Sequence, residues 1–261
     1  MIPENFIRDW FPHARWQTLS MVEQDLIISR ALICLYSNQH VKESLVFRGG
    51  TALNKLFIKP PARYSEDIDF VQVRPEPIGP TIDAIRAALK PWLGEPKRKL
   101  TERSAKLIYT YQAIGGEAAK LKIEINTTEH FQVLALKQEL FVVESPWFQG
   151  SCSISTYELE ELLATKLRAL YQRRKGRDLF DMWYVLIHHK VKSDRVIEIF
   201  QHYCLNDGIF ISKELFQKNM EEKRLNRDFQ ADMRILLPHQ IQWNFEEAFD
   251  FVHTNLISKL P

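Results

Sequence analysis

Residues 46–73, VFRGGTALNKLFIKPPARYSEDIDFVQV, hold a strand end, a Gly-Gly turn, a helix start, a loop and a second strand in one short stretch. Leu45, Val46 and Phe47 form an apolar run that stops at Gly49-Gly50, and from Thr51 to Phe57 the residues Leu53, Leu56 and Phe57 take helical spacing. Glycines there allow positive φ and close approach of a ligand, and a helix N-terminus behind them offers free N–H groups to an anion such as phosphate. In the second strand, alternation puts Ile68 and Phe70 on one face and Asp67 with Asp69 on the other. Two neighbouring carboxylates repel and call for a cation. Mg2+, with Mn2+ an alternative, suits such hard oxygen ligands, because it binds one or two protein carboxylates together with waters and substrate phosphates. A lone D-x-D is more often a solvated strand face; the Gly-Gly turn just upstream favours a phosphate and metal site.

Gly49-Gly50-Thr51 followed by Asp67-Ile68-Asp69 resembles the signature of DNA polymerase β-like nucleotidyltransferases. The fuller text, RGGTALNK at 48–55, SEDIDF at 65–70, KIEIN at 122–126 and TKLRALYQRRKGRDLFDMW at 165–183, resembles the AbiEii-type toxins of bacterial abortive-infection and toxin–antitoxin systems, relatives of the MenT toxins. The resemblance covers residues 45–187. It departs from the superfamily in the longer interval from Thr51 to Asp67, which sets an extra loop, Lys59-Pro60-Pro61-Ala62-Arg63, beside the site.

The 261 residues make one large or two modest domains. A net charge of +2 gives no global basic field, so any nucleic-acid contact must come from local patches. Cys34, Cys152 and Cys204 fit neither a disulfide framework nor a zinc cluster, which points to a reducing cytoplasm. The N-terminal MIPENFIRDWFPHARW is no signal peptide, and no apolar run is long enough for a membrane span. A capping-box pattern at Ser20–Glu23 predicts a helix to about Tyr36; Ile82–Leu93 reads as a second helix. Leu107–Ile114 and Leu121–Ile125 flank Gly115-Gly116 as an antiparallel hairpin, and Leu140–Val143 as one more strand. From Ser155, another capping-box pattern, the rest reads as helices, with predicted segments 194–203, 212–223, 227–236 and 245–260.

Lys166 falls inside a stripe of Leu159, Leu162, Leu163, Leu167 and Leu170. A lysine among leucines asks for an anion in a crevice, or else snorkels from the core edge. Lys166, Arg168, Arg173, Arg174, Lys175 and Arg177 follow with no acid between them, and Asp178 and Asp181 then share a helix face. These acids either form a structural ion-pair network or fix Lys166 and Arg177 toward a triphosphate. Glu124 alternates with Ile123 and Ile125, and is either a surface acid paired with Lys122 or Lys120 or a third site carboxylate.

By resemblance, Asp67 and Asp69 hold the metal, and Asp67, Asp69, Glu124, Lys166 and Asp181 are catalytic. Gly49, Gly50, Thr51, Lys55, Arg63, Ser65, Lys166, Arg177 and Asp178 bind the nucleotide. The implied fold is an α/β polymerase β-like core, a mixed sheet with flanking helices over residues 1–150, followed by a helical domain over 151–261 that completes a nucleotide cleft. The implied activity is NTP-dependent, Mg2+-assisted transfer of a nucleotide to a hydroxyl, foremost on tRNA or another RNA, by a cytoplasmic toxin whose antitoxin is encoded nearby. Transfer to a small molecule or a protein, and NTP binding without turnover, stay open.

Overall fold

The computed structural model describes residues 2–261, which divide into two compact units, one ending at Tyr157 and the next beginning at Glu158. In the first unit the apolar run before the Gly-Gly turn is strand β1 (Leu45–Arg48), and the D-x-D run is β2 (Asp67–Gln72), paired antiparallel with Arg48 opposite Asp69. The hairpin at Gly115-Gly116 is β4 (Ser104–Gln112) with β5 (Ala118–Asn126). β5 lies parallel to β2, with Asp67 opposite Lys122 and Asp69 opposite Glu124. β3 (Lys97–Leu100) borders β4, while β6 (Lys137–Glu144) and β7 (Gln149–Thr156) form a second hairpin joined to β1 through β7. Among the described residues this is one mixed seven-stranded sheet in the order β3-β4-β5-β2-β1-β7-β6.

Helices α1 (Glu4–Trp10), α2 (Leu19–Tyr36), α3 (Gln39–Ser44), α4 (Gly49–Ala52) and α5 (Gly79–Leu93) complete this unit. α2 packs against β5, β6, β7 and α5, and Tyr36 at its end meets the ring of Phe70 and donates to the carbonyls of Leu45 and Ser155. The helical layer thus covers the Ile68–Phe70 face of β2 and leaves Asp67 and Asp69 on the other.

Two expectations about capping are corrected. α2 starts one residue before Ser20, with Thr18 accepting the Met21 N–H at 3.3 Å; Glu23 is buried and accepts the Ile114 N–H at 2.8 Å. Ser155 and Thr156 belong to β7, and Thr156 donates to the Phe47 carbonyl at 2.7 Å. A hydroxyl beside a free strand carbonyl is satisfied there as readily as at a helix end.

The second unit comprises α6 (Leu159–Gln172), α7 (Gly176–His188), α8 (Ser193–Asn206), α9 (Lys213–Arg224), α10 (Arg227–Ala231) and α11 (Phe245–Asn255). α6 packs on α7 and α8, and α7 on α10 and α11. Gly176 permits the approach of α10: a Cβ there would stand 2.2 Å from the Phe229 carbonyl oxygen. The predicted 227–236 helix gives way to turns after Ala231 and the last one breaks after Asn255 into a 3-10 turn, Ile257–Lys259. Among the described residues no helix is long and apolar enough to cross a membrane.

Candidate active site

The chain leaves β1 at Arg48 and turns at Gly49, whose φ of +83° is a left-handed conformation that L side chains rarely adopt. A Cβ at Gly49 would also sit 2.7 Å from Asp69 Oδ2, so glycine is required twice over. The helix that follows runs straight from α4 into a π-helical turn at Leu53–Phe57, an irregularity that is frequent at functional sites. Thr51 is buried, and its hydroxyl contacts the Ser65 hydroxyl at 2.7 Å and donates to the Asp67 carbonyl. Its side chain therefore ties the turn to β2, leaving the backbone N–H as its group for an anion.

Lys55, expected to bind nucleotide, directs its ammonium to Asp25 Oδ1 at 2.6 Å and Ser29 Oγ at 2.9 Å. Asp25 is buried and also receives the indole N–H groups of Trp10 and Trp16 at 2.8 and 3.3 Å. Arg63 is buried, donates to the Tyr64 carbonyl at 2.9 Å, and lines a small cavity with Thr51, Asn54, Lys55 and Ser65. Asn54 holds this loop in place: its amide donates to the Gly50 carbonyl at 3.0 Å and its oxygen accepts the N–H groups of Ala62 and Arg63 at 3.0 and 3.2 Å.

On β2, Asp67 and Asp69 share one face with Lys122 and Glu124 of β5 opposite them. Burial, and next the charge of Asp67, push the Asp69 carboxyl above its ordinary value, against the opposing pull of Arg48 and Lys122. Glu124 behaves oppositely. Burial works to raise it, but the Lys106 hydrogen bond at 2.9 Å and the Lys122 and Lys106 charges hold it below its ordinary value. Lys122 places its ammonium between two acids, 3.0 Å from Asp67 Oδ2 and 3.3 Å from Glu124 Oε2. Among the described residues no three His, Cys, Asp or Glu side chains already converge as a metal cluster. The donor set nevertheless fits a divalent cation of the Mg2+ type, which needs only one or two carboxylates once phosphates and waters complete its shell.

In the second unit Lys166 is buried, and its ammonium lies 3.0 Å from Asp178 Oδ1 and 2.8 Å from Asp181 Oδ2. Arg173 grips Asp178 from the other side through Nε at 2.6 Å and Nη2 at 2.8 Å. Burial would raise the Asp178 carboxyl, but Lys166 and Arg173 together hold it well below its ordinary range. Arg177 stands apart from this cluster: its backbone N–H donates to Asp232 Oδ2 at 3.0 Å, and its guanidinium is 3.8 Å from the same carboxylate.

Sequence reading missed Asp25, Asn54 and Lys122. The only available signal was strand alternation, which set Lys122 on the Glu124 face; the partners of Asp25 and Asn54 come from the tertiary fold.

The family model for the nucleotidyl transferase AbiEii toxin of type IV toxin–antitoxin systems matches residues 30–251. Among solved structures the fold is similar to MenT4, a nucleotidyltransferase toxin from Mycobacterium tuberculosis H37Rv, at 17% identity and a TM-score of 0.69, over 100% of this chain and 91% of that one. It is also similar to JHP933 from Helicobacter pylori, at 18% identity and a TM-score of 0.53, over 92% of this chain and 91% of that one. No curated protein matches the sequence. With the family pattern extending over most of the chain and the Gly-Gly turn facing the D-x-D strand, this protein belongs to the AbiEii family of nucleotidyltransferase toxins of type IV toxin–antitoxin systems.

Proposed function

We propose that this nucleotidyltransferase moves a nucleotide from an NTP to a hydroxyl of an RNA, foremost a tRNA, with Mg2+ held by Asp67 and Asp69, and that it acts in the bacterial cytoplasm under the control of an antitoxin encoded nearby. The observation that carries the chemical part is the shared face of β2 and β5 that holds Asp67, Asp69 and Glu124, with the Gly49 turn pressed against Asp69. A Mg2+ ion, when bound, neutralises phosphate charge and aligns the α-phosphorus with the incoming oxygen. The backbone N–H groups of Gly50 and Thr51 bind phosphate oxygens, and Thr51 and Ser65 fix the turn against β2. Glu124, kept ionised by its two lysines, accepts a hydrogen bond from the attacking hydroxyl and orients it. The acceptor oxygen gives up its proton to Glu124 as it bonds to the α-phosphorus, the bond from that phosphorus to the oxygen bridging the β-phosphate breaks, and pyrophosphate leaves. Arg63 adds positive charge beside the turn. Lys166 and Arg177 keep the phosphate-binding role that the resemblance implies, with Asp178 and Asp181 as orienting groups; the grip of both aspartates on Lys166 supports the orienting part.

The test is incubation of the purified protein with each α-labelled NTP, Mg2+ and total bacterial RNA, resolved on a denaturing gel. Label entering a tRNA-sized band is the expected result, and the NTP that supplies it gives the base preference. Label confined to protein or to a small product would overturn the RNA acceptor.

A further inference from the structure

We propose that Lys122 is a resident cation of the active site, holding Asp67 and Glu124 together before metal binds and giving up Asp67 when the metal arrives. The inference rests on the reading of Asp67 and Asp69 as metal ligands. Register places Lys122 directly opposite Asp67 and two residues before Glu124 on the same strand face. Its single ammonium reaches oxygens of both acids, at 3.0 and 3.3 Å. Glu124 keeps a second lysine, Lys106, on its other oxygen at 2.9 Å. Asp67 pairs with Lys122 through Oδ2, the carboxylate on which a divalent ion would depend. Three acids on one sheet face would repel in the metal-free protein, and cross-strand pairing with Lys122 offsets that repulsion. The same ammonium then competes with the incoming ion for Asp67 and sets the concentration at which metal enters. Lys122 is in these terms a positioning residue: it governs which state of the carboxylates is occupied and takes no proton from the substrate.

The measurement is metal affinity, read without nucleotide from the free Mn2+ signal in electron paramagnetic resonance, for wild type, Lys122→Met, Lys122→Arg and Lys106→Met. Removing one unit charge a few ångströms from a divalent ion predicts about ten- to thirtyfold tighter Mn2+ binding in Lys122→Met. Lys122→Arg, which keeps the charge, should stay within about threefold of wild type. Metal-free Lys122→Met should melt below wild type, and saturating Mn2+ should close that gap. Should Lys122→Met fail to fold, Lys122→Gln carries the same comparison. Equal affinity in wild type and Lys122→Met, or equal tightening in Lys106→Met, overturns the inference and leaves the metal reading standing. Absence of Mn2+ binding in every variant, with an NTP present as well as without it, overturns the metal reading and this inference with it.

Discussion

At the scale of single residues, Asp69 stands under opposed demands. Burial and the neighbouring Asp67 disfavour its charge, while its proposed role as a metal ligand requires it ionised. A carboxyl raised in the folded state stabilises the fold only at low pH and is a cost near neutrality, so Asp69→Asn should leave the melting temperature at pH 7 unchanged or slightly higher. Transfer from labelled NTP should fall by at least about a hundredfold. Normal transfer with normal Mg2+ dependence in Asp69→Asn would remove Asp69 from the metal site. Lys166 poses the reverse case. Its place among leucines suggests that an apolar residue would suit the position, but the structure supplies the anion the stripe asked for in Asp178 and Asp181. Lys166→Met therefore strips buried carboxylates of a counter-charge and should cost roughly 3–5 kcal/mol by urea denaturation. A variant as stable as wild type would show that the cluster carries little folding energy, and unchanged NTP affinity would remove its phosphate role. Asp178 also fixes a pH dependence. Its carboxyl is lowered from 3.8 by its two cations, so its contribution is fully present above that value and lost as pH falls through and below it. The acid limb of the stability curve should accordingly be flatter in Asp178→Asn than in wild type.

At the scale of elements, the Gly49 turn and β2 act as one device, with the turn backbone pressed on the carboxylate it serves. Gly49→Ala meets both the left-handed φ and the 2.7 Å approach to Asp69, and should lower stability by roughly 1–3 kcal/mol while displacing Asp69 enough to suppress transfer. A fully active, equally stable Gly49→Ala would mean the turn relaxes freely. This device was legible in the sequence because its parts are local: an apolar run, two glycines, an alternating D-x-D. The β4–β5 hairpin was legible for the same reason. β3 was not, since KRKL shows no alternation between apolar and polar residues and is exposed along its length, with β4 its strand partner. β7 was read partly as a helix cap because hydroxyl residues serve both roles, and only the carbonyl of Phe47, 109 positions away in sequence, decides the matter for Thr156. The same limit explains Lys55, whose partner Asp25 lies 30 positions earlier on another helix. Its basic side chain near the turn was plain from the sequence, whereas its pairing with a buried carboxylate depends on how α2 packs.

At the scale of the whole molecule, a net charge of +2 leaves RNA attraction to local arrangement. The sequence holds two basic runs, one of Lys97, Arg98, Lys99, Arg103 and Lys106 and one of Arg168, Arg173, Arg174 and Lys175; the second is compromised as a binding surface, because Arg173 is committed to Asp178. Reversing Arg173 would damage the fold before it tested binding. The other run lies on the sheet in register with the acids: Asp69 is opposite Glu124, Glu124 opposite Lys106, and Lys106 opposite Lys99. Cross-strand partners share a face, so Lys99 stands beside Lys106, whose ammonium is paired with Glu124 at 2.9 Å. Lys97 lies two residues along the same exposed edge strand. An RNA backbone crossing β4 and β3 would therefore meet lysines on the face that carries Asp67 and Asp69. The variant Lys97→Glu/Lys99→Glu should weaken RNA binding and flatten its dependence on log salt by about 1.4, at roughly 0.7 for each single-strand phosphate deprived of its lysine. Its melting temperature and NTP affinity should stay at wild-type values, since both side chains are exposed. Expression without the antitoxin should arrest growth in wild type, less in this variant, and not at all in Asp69→Asn. If the salt slope is the same in both proteins, the acceptor does not lie along β3. A slope near zero in wild type would exclude a polyanionic acceptor and turn the search to a small molecule or a protein hydroxyl.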